Sequence, residues 1–265
     1  MISAMGEHRT GRPYKLLANY YDDLFGGERS WGAAARERLL GKILPEVRAA
    51  CDLACGTGTT ALELARRGVQ VFAVDLSPTM CARARQKARR AGLPVRVIQG
   101  DMRAFRLPER VDLVTCEFDA INHVPAKADL VRVARSVARA LRPGGTFFFD
   151  ENNRRSFRKL WPGTWWNEKP GLVLVMHGGY DRLRDMAFAT VEWFIREGRR
   201  WRRHREYVEE VCWTPAEIRE ALRQAGFGQV RAWDAAPFFE GNPAVRQGYR
   251  TYYVARKVPR GSGKL

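Results

Sequence analysis

A chain of 265 residues, 45% of them apolar, can bury a sizeable core in one domain with a small cap. It holds no run of about 18 apolar residues, so no membrane span is read. The polar stretch 1–14 has no apolar signal-peptide core. With 46 basic against 29 acidic residues the formal charge is +17, a balance that can attract nucleic acid, anionic lipid or acidic substrates. The excess is scattered over helix faces, as at Arg83, Arg85, Lys87, Arg89 and Arg90, which fits a solvated surface. Its densest run is 196–205, with Trp201 interleaved. Five cysteines (51, 55, 81, 116 and 212) show no metal-ligand spacing and read as buried thiols in a reducing cytoplasm.

In chain order, residues 14–25 form a tyrosine-rich helix or turn ended by Gly26-Gly27. A second helix starts at Ser30 and runs toward Pro45, with Leu39, Leu40, Ile43 and Leu44 among its apolar positions. Strands and helices then alternate, the pattern of a parallel sheet covered on both faces. Strands are expected at 50–54, 70–74, 94–99, 111–116 and 146–150. Ser77-Pro78 starts the helix after the second strand, with Ser77 as cap. Residues 151–211 differ in character. Trp161, Trp165 and Trp166 fall in a Pro- and Gly-flanked loop, followed by strand-like runs at 172–178, 187–196 and 201–212. Thr214-Pro215-Ala216-Glu217 is a capping box. The runs 228–233 and 251–257 complete the sheet as an antiparallel ribbon.

The stretch that organises the chain is Asp52-Leu53-Ala54-Cys55-Gly56-Thr57-Gly58-Thr59. Strand, tight glycine turn and helix is its simplest reading, and Gly56 and Gly58 let a ligand approach the backbone. The spacing fits a loose dinucleotide fingerprint, but a pyrophosphate needs a turn free of negative charge. Asp52 ends the strand before it. In open α/β sheets ligands bind at the carboxyl ends of strands, and here those ends read Asp52, Asp75, Asp101 and Glu117-Phe118-Asp119. Acids on four consecutive strands of so basic a chain suit a ligand with hydroxyls, an amine and a sulfonium better than a phosphate.

These motifs, with Gly100-Asp101-Met102 and Pro143-Gly144-Gly145, resemble the class I S-adenosylmethionine-dependent methyltransferases over residues 14–257. Tyr20-Tyr21-Asp22 and the run 116–123 are similar to a subgroup acting on small molecules. The resemblance implies a doubly wound, Rossmann-like seven-stranded sheet, mostly parallel with the last strand antiparallel, and an antiparallel β cap. Its parts would be a helical lid (1–45), a cofactor-binding core (46–150), the cap (151–211), the rest of the core (212–258) and a flexible tail (259–265). It implies that Asp75 takes the ribose hydroxyls and Asp101 the adenine amine. Leu76, Met80 and Met102 would surround the adenine, with Gly100 beside them. Ala54 and Gly56 backbone with Glu117 and Phe118 would hold the methionine end, and Asp52, Cys55, Thr57 and Gly58 complete that turn. Tyr14, Tyr20 and Tyr21 would close over the cofactor.

Methyl transfer from a sulfonium is an in-line displacement with a good leaving group, so alignment and dryness matter most. A general base is needed only if the acceptor loses a proton. His123 is its candidate, with Tyr20 beside it. Asn122, Trp165, Trp166, His177 and Glu192 are candidates for the acceptor pocket. The expected function is methyl transfer to N or O of a small molecule, by a cytoplasmic monomer or homodimer with no metal and no membrane partner. An RNA methyltransferase is the charge-motivated alternative, and a NAD-dependent or non-catalytic module the other.

Overall fold

Short apolar runs closed by acids or glycines set the central strands. In the computed structural model, which describes residues 17–25, 29–236 and 248–259, these are β1 (Ala49–Leu53), β2 (Gln70–Asp75), β3 (Val95–Gln99), β4 (Val111–Cys116) and β5 (Leu141–Asn152). Helices α3 (Thr59–Arg66), α4 (Pro78–Arg90) and α5 (Lys127–Ala140) lie between them. The Ser77 hydroxyl accepts the Met80 amide at the start of α4. The capping box at Thr214 and Glu217 opens α7 (Pro215–Gln224).

Seven strands form one sheet in the order β10-β11-β5-β4-β1-β2-β3. Strands β5, β4, β1, β2 and β3 run parallel. Strand β11 (Arg250–Lys257) is antiparallel to both β5 and β10 (Phe227–Asp234). Both faces are covered. Helices α5 and α7 contribute Leu130, Val137, Ile218 and Leu222 on one side, where Phe147 and Phe149 point. On the other, Phe148 meets Ala61 and Leu64 of α3 and Leu40 of α2 (Arg29–Leu40). The alternation of three successive phenylalanines is the period of two of a strand buried on both sides.

Two expectations need correction. The fifth strand begins at Leu141 rather than Thr146, because Leu141 pairs with Val111 and the run 142–145 forms a register irregularity inside the strand. The tryptophan loop is also a strand. After the six-residue α6 (Arg154–Lys159), β6 (Gly163–Lys169) carries Trp165 and Trp166 and pairs with β7 (Leu172–Asp181). With β8 (Met186–Glu197) and β9 (Arg200–Val211) the cap is a four-stranded antiparallel sheet. One cap face buries Leu172, Leu174, Val191 and Trp193 against Tyr20 and Leu24 of α1 (Leu17–Phe25). All five cysteines are buried and free. Among the described residues no helix is long and apolar enough to cross a membrane. Tyr14 and the tail beyond 259 lie outside the described residues.

Candidate active site

The sheet order brings the acids to one edge. Asp150 of β5, Glu117 after β4, Asp52 of β1, Asp75 of β2 and Asp101 after β3 follow one another across the carboxyl ends. The strand order reverses direction between β1 and β4, the crevice where such folds take ligands.

Asp52 is 2% exposed. It accepts the Ala61 amide in the first turn of α3 at 3.0 Å and the Thr115 hydroxyl at 3.1 Å. Its carboxylate therefore holds the turn from below. Asp75 accepts the amides of Gly56 and Ser77, each at 2.8 Å. Burial pushes its carboxyl up, against those two amides. Gly56 (φ 54) and Gly58 (φ 83) take left-handed conformations, and a Cβ on Gly58 would stand 3.0 Å from that of Ala84. Carboxylates thus occupy the Gly56 and Ala61 amides, donors that a diphosphate would use at this turn. The turn suits a neutral or cationic ligand group.

Beside Asp75, Leu76 is 65% exposed while Met80 is buried and Met102 half-buried. A Cβ on Gly100 would meet Val74 at 3.3 Å, so the third strand end sits close against the second. Asp101 is held by Arg103, whose Nε lies 3.0 Å from both carboxylate oxygens. That bond keeps Asp101 below the usual carboxylate range.

At the other end of the crevice Glu117 is buried. Its Oε1 accepts Arg36 of α2 at 2.5 Å, its Oε2 has no partner, and Arg36 also bonds Glu63. Burial outweighs Arg36 and raises this carboxyl to about 8. Phe118 (φ 62) and Asp119 (φ 53) follow in left-handed backbone, a strained pair for non-glycine residues. Buried Asp150 holds them, accepting the Phe118 amide at 2.7 Å and the Asp119 amide at 3.2 Å. Arg250 of β11 bonds Asp150 and reaches Asp119 at 2.6 Å. Helix α1 covers the glycine turn through Asp22, which accepts Thr57 at 2.6 Å and Lys87 at 2.7 Å. Tyr20 stacks on Trp193 of the cap, centroids 6.2 Å apart, and Tyr21 is half-buried on the same helix.

His123 joins this edge to the cap. Its Nδ1 lies 3.3 Å from the Glu209 carbonyl. A carbonyl can only accept, so Nδ1 carries a proton, and in the neutral ring Nε2 then holds the lone pair. Nε2 is 3.8 Å from Glu210 of β9, and atoms of Asp119, His123 and Glu210 lie within 4.8 Å of one another. Burial lowers the imidazole pKa, despite Asp119, and raises that of Glu210. Burial thus disfavours the charged form of both groups.

Several acceptor-pocket candidates fall elsewhere. The Asn122 amide donates to the Asn152 and Val211 carbonyls at 3.1 and 2.9 Å and accepts the Asn152 amide at 2.9 Å. Both its donors go to clasping the cap to β5. In the cap, Glu210 pairs with buried Ala187 and shares the inward face with Val191 and Trp193. Trp166, His177 and Glu192 sit on the alternate positions and turn to the opposite face. There Arg203 and Arg205 hold Glu192, and Thr164 faces His177 at 3.0 Å. Trp165 is on the inward face, 41% exposed. Sequence reasoning missed Arg36, Asp150, Glu210 and Arg250. Only Asp150 carried a signal, an acid closing a fifth strand.

A methyltransferase-domain family model matches residues 50–145. The putative methyltransferase YqeM of Bacillus subtilis (strain 168) is 30% identical over 253 residues, 92% of this chain and 97% of that one. An S-adenosylmethionine-dependent methyltransferase from Clostridium acetobutylicum ATCC 824 superposes with a TM-score of 0.77 at 22% identity, over 93% of this chain and all of the other. The sugar N-methyltransferase KedS8 from Streptoalloteichus sp ATCC 53650 gives 0.72 at 24% identity, with 97% of each chain covered. The acid-rimmed glycine crevice and the full-length relative agree: the chain belongs to the class I S-adenosylmethionine-dependent methyltransferases.

Proposed function

We propose that this site methylates a nitrogen or oxygen of a small molecule held between the carboxyl edge and the inward face of the cap. The observation that carries the reading is the cluster of His123, Asp119 and Glu210, whose Asp119 lies two residues beyond Glu117 at the end of β4. KedS8, a neighbour in fold, is a sugar N-methyltransferase, and acidic groups around an imidazole that burial keeps from charging favour an amine acceptor.

Asp75 would hold the ribose hydroxyls, a charged bidentate contact that fixes the adenosyl group. Asp101, steadied by Arg103, would accept the adenine amine between Leu76, Met80 and Met102. The Ala54 and Gly56 backbone, Glu117 and Phe118 would hold the amino-acid end. When bound, S-adenosylmethionine supplies an electrophilic methyl on a sulfonium whose leaving thioether needs no protonation. The protein's part is alignment, exclusion of water by α1 with Tyr20 and Tyr21, and proton removal. His123 Nε2 is poised for the last task.

Two measurements test this. With methyl-labelled cofactor, small amines or alcohols should take up label and total RNA should not. Labelled RNA would favour the charge-motivated alternative. His123→Ala should lower turnover by about a hundredfold while S-adenosylhomocysteine affinity stays within about twofold. Unchanged turnover would return His123 to a packing role.

A further inference from the structure

The chain after β4 bends twice into left-handed backbone, at Phe118 and Asp119, and runs straight into the short helical turn Ala120–His123. Asp119 opens that turn, its carbonyl accepting the Asn122 amide at 2.8 Å. Where the bend settles therefore decides where His123 points. Two successive non-glycine residues keep such a conformation only when their surroundings impose it. Asp150, 1% exposed, grips both amides from β5. Arg250 then divides its guanidinium. One nitrogen bonds Asp150, and the other lies 2.6 Å from Asp119. An arginine present only to match a buried carboxylate would set both nitrogens on that one group, the ordinary fork arrangement. Here the second nitrogen goes to Asp119, whose carboxylate shares a cluster with His123 and Glu210.

We propose that Arg250 is a positioning residue for methyl transfer: it locks the turn that carries His123, and by holding the Asp119 carboxylate it stops that group from pairing with the imidazole and keeping a proton there. This rests on the reading of His123 as the base. The groups facing the imidazole are Asp119 on its own turn, with the Glu209 carbonyl and the Glu210 carboxyl of β9. Behind Asp119 stand Arg250 of β11 and Asp150 of β5. Asp119 favours a proton on His123, and burial opposes one. Arg250 places a positive charge on the side of burial, toward the neutral ring that a base needs.

The experiment follows imidazole titrations of the full chain by NMR, together with amide exchange. The chain has four histidines, and the signal lost in His123→Ala identifies the one in question. In the parent its midpoint should lie below the ordinary histidine value. Arg250→Met should raise that midpoint by about one pH unit, because Asp119 is released and a nearby cation is gone. Arg250→Lys keeps a charge but lacks a fork to span two carboxylates. Its midpoint should stay near the parent's, while the Phe118 and Asp119 amides exchange faster in both variants and those of β1 do not. Should Arg250→Met fail to fold, Asp119→Asn carries the test. It keeps an oxygen for Arg250 and removes the charge beside His123, so its midpoint should fall below the parent's. An unmoved midpoint in Arg250→Met, or in Asp119→Asn, overturns the inference and leaves His123 standing as the base. Midpoints that move as stated beside unchanged turnover in His123→Ala would instead overturn the base reading, and with it the part of Arg250 in the transfer.

Discussion

Asp75→Ala is expected to weaken S-adenosylhomocysteine binding by at least about a hundredfold, since two hydrogen bonds to a charged group are lost at about 1.5–3 kcal/mol each. The same carboxylate also accepts the Gly56 and Ser77 amides, so the variant should lose about 1–3 kcal/mol of stability as well. Asp75→Asn separates the two effects. Its single carbonyl oxygen can still take one of the amides and one ribose hydroxyl, so its affinity should fall between parent and alanine. Calorimetry with thermal melts measures both quantities. An Asp75→Ala protein that binds S-adenosylhomocysteine as well as the parent would remove the ribose assignment.

The largest loss of stability is expected from Arg36→Met. Arg36 is 3% exposed and bonds Glu63 on α3 and Glu117 after β4, fastening α2 to the sheet. Breaking a buried pair by removing one partner costs about 3–5 kcal/mol, in full only above about pH 8, where Glu117 is ionised. Glu63 is 32% exposed and can hydrate, whereas Glu117 at 3% cannot. The sign of the pH dependence follows. Glu117 is raised to about 8 when folded and sits near 4.3 when unfolded. The folded state therefore holds the extra proton, and stability from this group falls as pH rises between those values. Without Arg36 the folded value climbs further, so melts of Arg36→Met and parent should diverge more at pH 8 than at pH 6. Arg36→Met with Glu117→Gln should be more stable than the sum of the two single losses, because the uncompensated charge is gone. A pH-independent gap would mean that Arg36 acts by packing alone.

Much of the core was legible because local signals and the fold agree. The glycine turn, the Ser77-Pro78 cap and the Thr214–Glu217 box are each set by neighbours in sequence, and each forms as expected. The acids share one edge because parallel strands all present their carboxyl ends there. What was hidden depends on distant partners. Strand β6 looks like a loop from its flanking glycines and prolines, and only its pairing with β7 makes it a strand. Asn122 has the chemistry of a ligand contact, yet the carbonyls of Asn152 and Val211 take its donors. Arg36 and Arg250 are two of 46 basic residues, and only folding places carboxylates around them. The outward turn of His177 and Glu192 was within reach. Apolar Val191 and Trp193 flank Glu192, and that alternation assigns Glu192 to the exposed side.

The most direct test is a crystal structure of the protein grown with S-adenosylhomocysteine. The ribose hydroxyls are expected on Asp75, and the amino-acid end beside Glu117 beneath α2. A nucleoside seated away from the carboxyl ends of β2 and β4, with Asp75 bonded only to Gly56 and Ser77, would contradict this placement.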